Sequence, residues 1–126
     1  DGDGRVLFSE LLGARVRSIE PDGTLATVAA RLFAPAGLAV SGRTLYIADN
    51  ANHRVRIVNL ETSVIATFAG TGDETFTGDR QEAGITALSR PAGVAASPTH
   101  LLSIADRDHH IVWRTAIRFL SLSVGR

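Results

Sequence analysis

The sequence contains no cysteine, no lysine and no methionine, and it has no long apolar run. Without cysteine, neither a disulfide framework nor a thiolate metal site is possible, and the redox compartment cannot be inferred. The longest apolar runs fall well short of the roughly 20 residues that cross a bilayer, so no membrane span is predicted. Because methionine and a signal-peptide pattern are both absent, we expect a mature chain or a part of a longer polypeptide.

Net charge is also lacking, since thirteen arginines balance thirteen acidic residues. A neutral chain generates no strong field toward nucleic acid or anionic lipid, so nucleic acid is not an expected partner. Every basic side chain is a guanidinium, which forms planar, bidentate contacts. The hydrophobic fraction of 44% and the charged fraction of 21% are typical of a globular domain.

The chain is organised around a repeat. Residues 45–56 read LYIADNANHRVR, and looser copies lie at residues 6–17 and 102–113. Glu10 precedes Asp49 by the same number of residues as Arg15 precedes Arg54. The next period is longer, because an irregular stretch (residues 70–90) separates the second copy from the third. A unit of about forty residues is typical of one blade of a β-propeller.

Each copy predicts short β-strands separated by turns rich in Asp, Gly, Asn and Pro. Residues 45–48 are apolar on both faces, which indicates a middle strand covered on both sides. Residues 70–90 are predicted as a surface loop with one helical turn at residues 81–87. The predicted strands are 6–8, 15–19, 25–29, 34–40, 45–48, 54–58, 64–69, 93–96, 101–105, 111–114 and 119–124.

The predicted fold is therefore an all-β propeller made of four-stranded blades. Three blades are predicted, of which the first lacks its innermost strand. Blade 1 is assigned to residues 1–30, blade 2 to residues 31–72, an inter-blade loop to residues 73–90 and blade 3 to residues 91–126. An incomplete ring leaves unpaired backbone edges, which a folded protein must cover.

Several segments give the chain a family resemblance. The motifs P-x-G-[LV]-A-V and L-Y-I-A-D-x-x-N-H-R-V-R, with a later strand ending in A-G-T-G, resemble the NHL repeat of β-propellers. Residues 76–87 (FTGDRQEAGITA) resemble a segment common between blades in bacterial-type members. Members of this family usually close six blades into a ring. The resemblance thus implies half a ring, completed by a second copy, by a partner or by the remainder of a longer chain.

The resemblance implies a non-catalytic protein-interaction or scaffolding module with no cofactor and no catalytic residue. The polar residues of the repeat motif are interpreted as structural, because turn side chains bond to nearby backbone and buried polar groups need partners. These residues are Asp49, Asn52, His53, Arg54, Asp106 and His110.

A candidate surface for a protein partner combines the long loop with the third copy. Trp113 takes the place that Arg56 holds in the second copy, which favours an exposed indole. Tryptophan is enriched among the residues that dominate binding energies. The predicted partner surface consists of Phe76, Asp79, Arg80 and Trp113.

Two alternatives stay open. Residues 106–110 (DRDHH) have the residue types of a metal site, as in a propeller lyase or hydrolase, although adjacent histidines point apart. Amidating lyases with similar propellers bind zinc through histidines where this chain has Ala36 and Ala92, so that activity is not implied. The second alternative is an RNA-binding NHL propeller. The neutral charge and the location of the aromatic residues in strands count against it.

Overall fold

Short runs of apolar residues between polar turns give the chain ten β-strands in the part that the structure describes. The computed structural model describes residues 1–73 and 87–116. Two 3₁₀ turns, Asn50–Asn52 and Arg107–His109, each join the two strands of one hairpin. The strands are β1 (Val6–Glu10), β2 (Arg15–Ile19), β3 (Leu25–Ala29), β4 (Pro35–Ser41), β5 (Thr44–Asp49), β6 (Arg54–Asn59), β7 (Ile65–Ala69), β8 (Pro91–Ala96), β9 (Leu101–Asp106) and β10 (Ile111–Ala116).

The strands form three antiparallel sheets, each joined in chain order. Strands β1 to β3 form blade 1, β4 to β7 form blade 2, and β8 to β10 form blade 3. The predicted all-β propeller fold is confirmed, and blade 1 lacks a strand equivalent to β4. The predicted strand 119–124 and all but Ala87 of the predicted helical turn lie outside the described residues. The residue boundaries between blades stay predictions.

Side chains on alternate faces of each strand pack the blades against one another. Successive residues of a strand point to opposite faces of the sheet. We call the face of a blade toward the preceding blade in the chain its trailing face, and the opposite face its leading face. Leu45 and Ile47 on the trailing face of blade 2 pack against blade 1, whereas Tyr46 on the leading face packs against blade 3.

Each of the two blade contacts has its own core. Burying one aliphatic side chain contributes roughly 1.5–3 kcal/mol, so these clusters hold the blades together. The cluster between blades 1 and 2 contains Val16, Ala29, Leu32, Leu45, Ile47 and Val58. The cluster between blades 2 and 3 contains Tyr46, Val55, Phe68, Ala69, Leu88, Leu102 and Ile104.

Burial along the middle strands distinguishes the inner blade from the outer ones. In β5, every residue from Leu45 to Asp49 is buried, as expected for a strand covered on both faces. Burial in β9 alternates strictly, and only Leu102, Ile104 and Asp106 are buried. Blade 2 is therefore covered on both faces, whereas blade 3 buries one face in the part of the chain that is described.

The innermost strands of blades 2 and 3 approach each other at a pair of glycines. A Cβ atom added at Gly37 would lie 2.8 Å from the Cα of Gly93 and 2.9 Å from the carbonyl oxygen of Ala92. Real Cβ atoms do not come this close to backbone, so only glycine at position 37 permits the observed spacing of β4 and β8.

We predict that Gly37→Ala destabilises the protein by about 1–3 kcal/mol, the usual cost of overpacking a tight site. Gly93→Ala is the matched control, because its added Cβ would meet only the Cβ of Ala105, at 3.9 Å. Urea denaturation followed by circular dichroism measures both free energies of unfolding. Equal effects of the two substitutions would contradict a close approach specific to Gly37.

The burial of Tyr46 also makes the free energy of unfolding depend on pH in the alkaline range. Desolvation raises the pKa of the Tyr46 hydroxyl, whose ring meets that of Phe68 edge-on at 5.2 Å between centroids. The chain has one tyrosine, no cysteine and no lysine, so few other groups titrate near pH 10. A raised pKa in the folded state gives a stability that is complete below the unfolded value and is lost as pH rises.

We therefore predict that the free energy of unfolding falls as the pH rises above about 10, and that Tyr46→Phe removes most of this dependence. The phenylalanine ring keeps the apolar packing but has no proton to lose. Urea titrations from about pH 9 to about pH 11 measure the slope for both proteins. An identical slope for wild type and variant would contradict the assignment to Tyr46.

Candidate functional site: the buried carboxylates of the repeat motif

The most polar part of the repeat motif is the turn that follows the buried strand β5. Asp49 ends this strand, and the 3₁₀ turn Asn50–Asn52 reverses the chain. His53 closes the turn in the left-handed region (φ 55°), and its backbone N–H donates to the carbonyl oxygen of Asn50 at 3.2 Å. Histidine is among the residues that tolerate this conformation better than most.

The carboxylate of Asp49 is fully buried and binds three groups. Its Oδ1 accepts the backbone N–H of Phe33 at 2.8 Å, just before β4 begins. Its Oδ2 accepts the amide of Asn52 at 2.8 Å and lies 3.6 Å from the Nε of Arg56. A buried carboxylate is costly without such partners. Asp49 therefore links the start of the innermost strand of blade 2 to the end of the next strand.

Asp106 makes the same arrangement in blade 3 with different side chains. Its Oδ1 accepts the backbone N–H of Ser89 at 2.7 Å, shortly before β8 begins. Its Oδ2 lies 2.8 Å from the Nδ1 of His109 and accepts the indole N–H of Trp113 at 2.9 Å. His109 thus takes the place of Asn52, and Trp113 takes the place of Arg56. A carboxylate with three partners of this kind recurs at both positions.

The remaining motif residues connect blade 2 to its surroundings. The Nδ1 of His53 accepts the backbone N–H of Arg90 at 3.2 Å, and the Asn50 amide donates to the carbonyl oxygen of Pro91 at 3.1 Å. Both contacts cross to the start of blade 3. The Nη2 of Arg54 donates to the carbonyl oxygen of Thr71 at 3.2 Å. The turn after β5 therefore holds neighbouring segments through side-chain contacts to backbone.

The glycine of the A-G-T-G segment fits against this turn. Gly70 has a φ of 94°, and a Cβ added there would lie 2.5 Å from the carbonyl oxygen of His53. A larger residue would meet both a left-handed backbone and a clash with the turn. This steric limit explains why the residue at position 70 is glycine.

Blade 1 keeps the backbone of this turn without its polar side chains. Ala14 takes the left-handed conformation of His53 (φ 55°), and its carbonyl oxygen accepts the N–H of Leu32 at 3.0 Å. Glu10, in the place of Asp49, forms an ion pair with Arg15 at the surface. The buried Nε of Arg17 has no hydrogen-bond partner among the described residues.

In the third copy, His110 is equivalent to His53 as in the sequence alignment of the copies, whereas the contacts of His109 and Trp113 differ from the sequence interpretation. His110 occupies the left-handed position (φ 58°) equivalent to His53, and it is His109 that binds the buried carboxylate. Trp113 is half-buried and packs on the cluster between blades 2 and 3. Its register opposite Ile104 places it on the trailing face of blade 3, so the expected exposed indole is wrong. The match of Asn52 with His109 in the aligned copies was the signal that could have identified this network.

The other residues of the predicted partner surface, Phe76, Asp79 and Arg80, lie outside the described residues. Acidic and histidine residues do not converge into a group of three or more that could hold a metal ion within residues 1–73 and 87–116. In the DRDHH segment, Asp108 instead accepts the hydroxyl of Ser89 at 3.1 Å and lies 3.7 Å from the Nε of Arg90.

Comparison with known proteins identifies one repeat and a shared fold. The NHL repeat family matches residues 34–58. The chain is 28% identical over 88 residues to the chloroplastic protein SUPPRESSOR OF QUENCHING 1 of Arabidopsis thaliana, which covers 70% of this chain but 8% of the plant protein. No helix in the described part of the chain is long and apolar enough to cross a membrane.

Three solved structures show the same architecture. A protein of unknown function from Bacteroides thetaiotaomicron VPI-5482 matches with a TM-score of 0.74 and 17% identity over 91% of this chain and 33% of its own. An auxiliary nutrient binding protein from the same organism matches with a TM-score of 0.70 and 17% identity over 87% and 34%. A chain of a nidogen/laminin complex matches with a TM-score of 0.66 and 18% identity over 90% and 39%. The chain thus spans less than half of each of these three structures.

We predict that Asp49→Ala destabilises the protein by about 3 kcal/mol, because it leaves the N–H of Phe33 and the amide of Asn52 without their buried acceptor and the Arg56 guanidinium without its ion pair. Glu10→Ala is the matched control. Its ion pair with Arg15 is partly exposed, so its loss costs less than about 1 kcal/mol. Urea denaturation measures the two changes in the free energy of unfolding, provided that the slope of this free energy with urea concentration is unchanged. A small loss for Asp49→Ala would show that the carboxylate is not the link between strands.

Proposed function

Because the chain carries an NHL repeat within a β-propeller fold, we propose that it is a non-catalytic protein-interaction or scaffolding module. In this proposal the three blades associate with further blades, in a second copy or in a partner, and so complete a ring. The observation that carries the proposal is the uncovered apolar trailing face of blade 1. Val6 and Leu25 on that face are 59% and 55% exposed.

Exposed apolar surface on a sheet face favours association, because water is released when the surface is covered. Within this chain, the equivalent face of blade 2 is already covered by blade 1. A blade of this type is therefore stable as part of a stack. An association that covers blade 1 would extend the packing that joins blades 1 and 2.

The occupation of the polar motif residues also supports a non-catalytic role. Asp49, His53 and Arg54 each bind backbone groups of neighbouring segments. Side chains engaged in this way hold neighbouring segments together. One of the similar folds belongs to a nidogen/laminin complex, so a comparable chain has been crystallised within a protein–protein complex.

Size-exclusion chromatography with light scattering over a range of concentrations tests the proposal. We predict a mass of at least twice that of the chain, with a return to the monomer mass only on strong dilution, because covering the apolar face stabilises the assembly. Circular dichroism on the same samples establishes that the protein is folded. A well-folded monomer at every concentration would contradict completion of the ring by self-association.

A further inference from the structure

The trailing face of blade 1 repeats the trailing face of blade 2, residue by residue. In blade 1, Val6 pairs with Ile19, Phe8 with Arg17, and Arg17 with Thr27. Each of these pairs has an equivalent in the strands of blade 2. The matching pairs are Leu45 with Val58, Ile47 with Arg56, and Arg56 with Thr67.

The two equivalent faces differ in whether they are covered. Leu45 and Val58 are fully buried beneath blade 1, whereas their equivalents Val6 and Ile19 are 59% and 39% exposed. Residues of the same kind and register thus form a core in one blade and an open surface in the next. The trailing face of blade 1 is therefore built to be covered by the leading face of another blade.

The two faces also carry an arginine at the same register position. Among the described residues, the buried Nε of Arg56 and the buried Nε of Arg17 both lack a hydrogen-bond partner. The Nε of Arg56 lies 3.6 Å from the carboxylate of Asp49, whereas Glu10, the corresponding acid of blade 1, forms an ion pair with Arg15.

The chain itself carries a matching surface, the leading face of blade 3. The register places Ala105 beside Val112 and Ser103 beside Arg114 on this face, opposite to the buried Ile104. Val112 is 68% exposed. This face thus combines the small residues Ser103, Ala105 and Ala116 with the side chains of Leu101, Val112 and Arg114.

The leading face of blade 1, which does cover a trailing face, has the same plan. Ser9 and Val16 pair with each other there, as Ala105 and Val112 do in blade 3. Val16 is fully buried in the contact with blade 2. Val112 therefore stands where a residue of this type is buried when a blade is docked.

We propose that two copies of this chain associate head to tail, with the leading face of blade 3 in one copy covering the trailing face of blade 1 in the other. The proposal rests on the proposed function and names its partner as a second copy and its contact as these two faces. A head-to-tail contact joins different surfaces, so it closes a ring when the rotation between copies permits and otherwise continues as a filament.

Paired charge substitutions test this contact. Val6→Glu places an unpaired carboxylate on the trailing face of blade 1, and Val112→Glu places one on the leading face of blade 3. Either variant should weaken self-association at least about tenfold, because the carboxylate must lose its hydration when the two faces come into contact. Val64→Glu is the control, since Val64 is 63% exposed and precedes β7 in a turn outside both faces.

The decisive measurement is an equimolar mixture of Val6→Glu and Val112→Glu in sedimentation velocity. The first variant keeps an intact leading face and the second keeps an intact trailing face, so the mixture should form a one-to-one complex while each variant alone sediments as a monomer. Circular dichroism checks that each variant is folded. Leu25→Glu provides a second trailing-face variant if Val6→Glu does not fold.

Two outcomes would overturn the head-to-tail contact alone. Association of Val112→Glu at wild-type strength, or no complex in the mixture, would assign self-association to another surface and leave the interaction module intact. A folded wild-type monomer at all concentrations would overturn both the contact and the proposed self-completion of the ring.

Discussion

The fold depends on a buried carboxylate that binds the backbone just before the innermost strand of its blade. Asp49 does this through the N–H of Phe33, and Asp106 does it through the N–H of Ser89. Hydrogen bonds to a charged acceptor in a buried site are stronger than neutral ones and costly to lose. In blades 2 and 3, this bond joins the innermost strand to the turn after the next strand.

The same constraint is met by different chemistry in the two blades. Asn52 and Arg56 surround the carboxylate of blade 2, whereas His109 and Trp113 surround that of blade 3. The amide, imidazole and indole groups hydrogen-bond to the carboxylates, and the guanidinium lies within ion-pair distance. The Asp, His and Arg residues of the motif resemble an active site, but their contacts hold strands together.

The faces themselves are unequal. Blade 2 is covered on both sides, whereas the trailing face of blade 1 exposes aliphatic residues such as Val6. The leading face of blade 3 exposes Val112 beside Ala105, together with Arg114. Apolar surface of this kind is characteristic of a contact to another sheet. These faces are the basis of the assembly that we propose for this chain.

The sequence by itself determined the blade repeat, the strand positions and the turn after β5, because period-two burial and turn chemistry act over a few residues. It could not place Trp113, since a residue's face depends on the strand register, and the indole contact with Asp106 exists only once that register is set. It also gave no reason for Gly37, which faces a backbone far along the chain. Tertiary packing decided these features, because they depend on which blade faces meet and how closely their backbones approach.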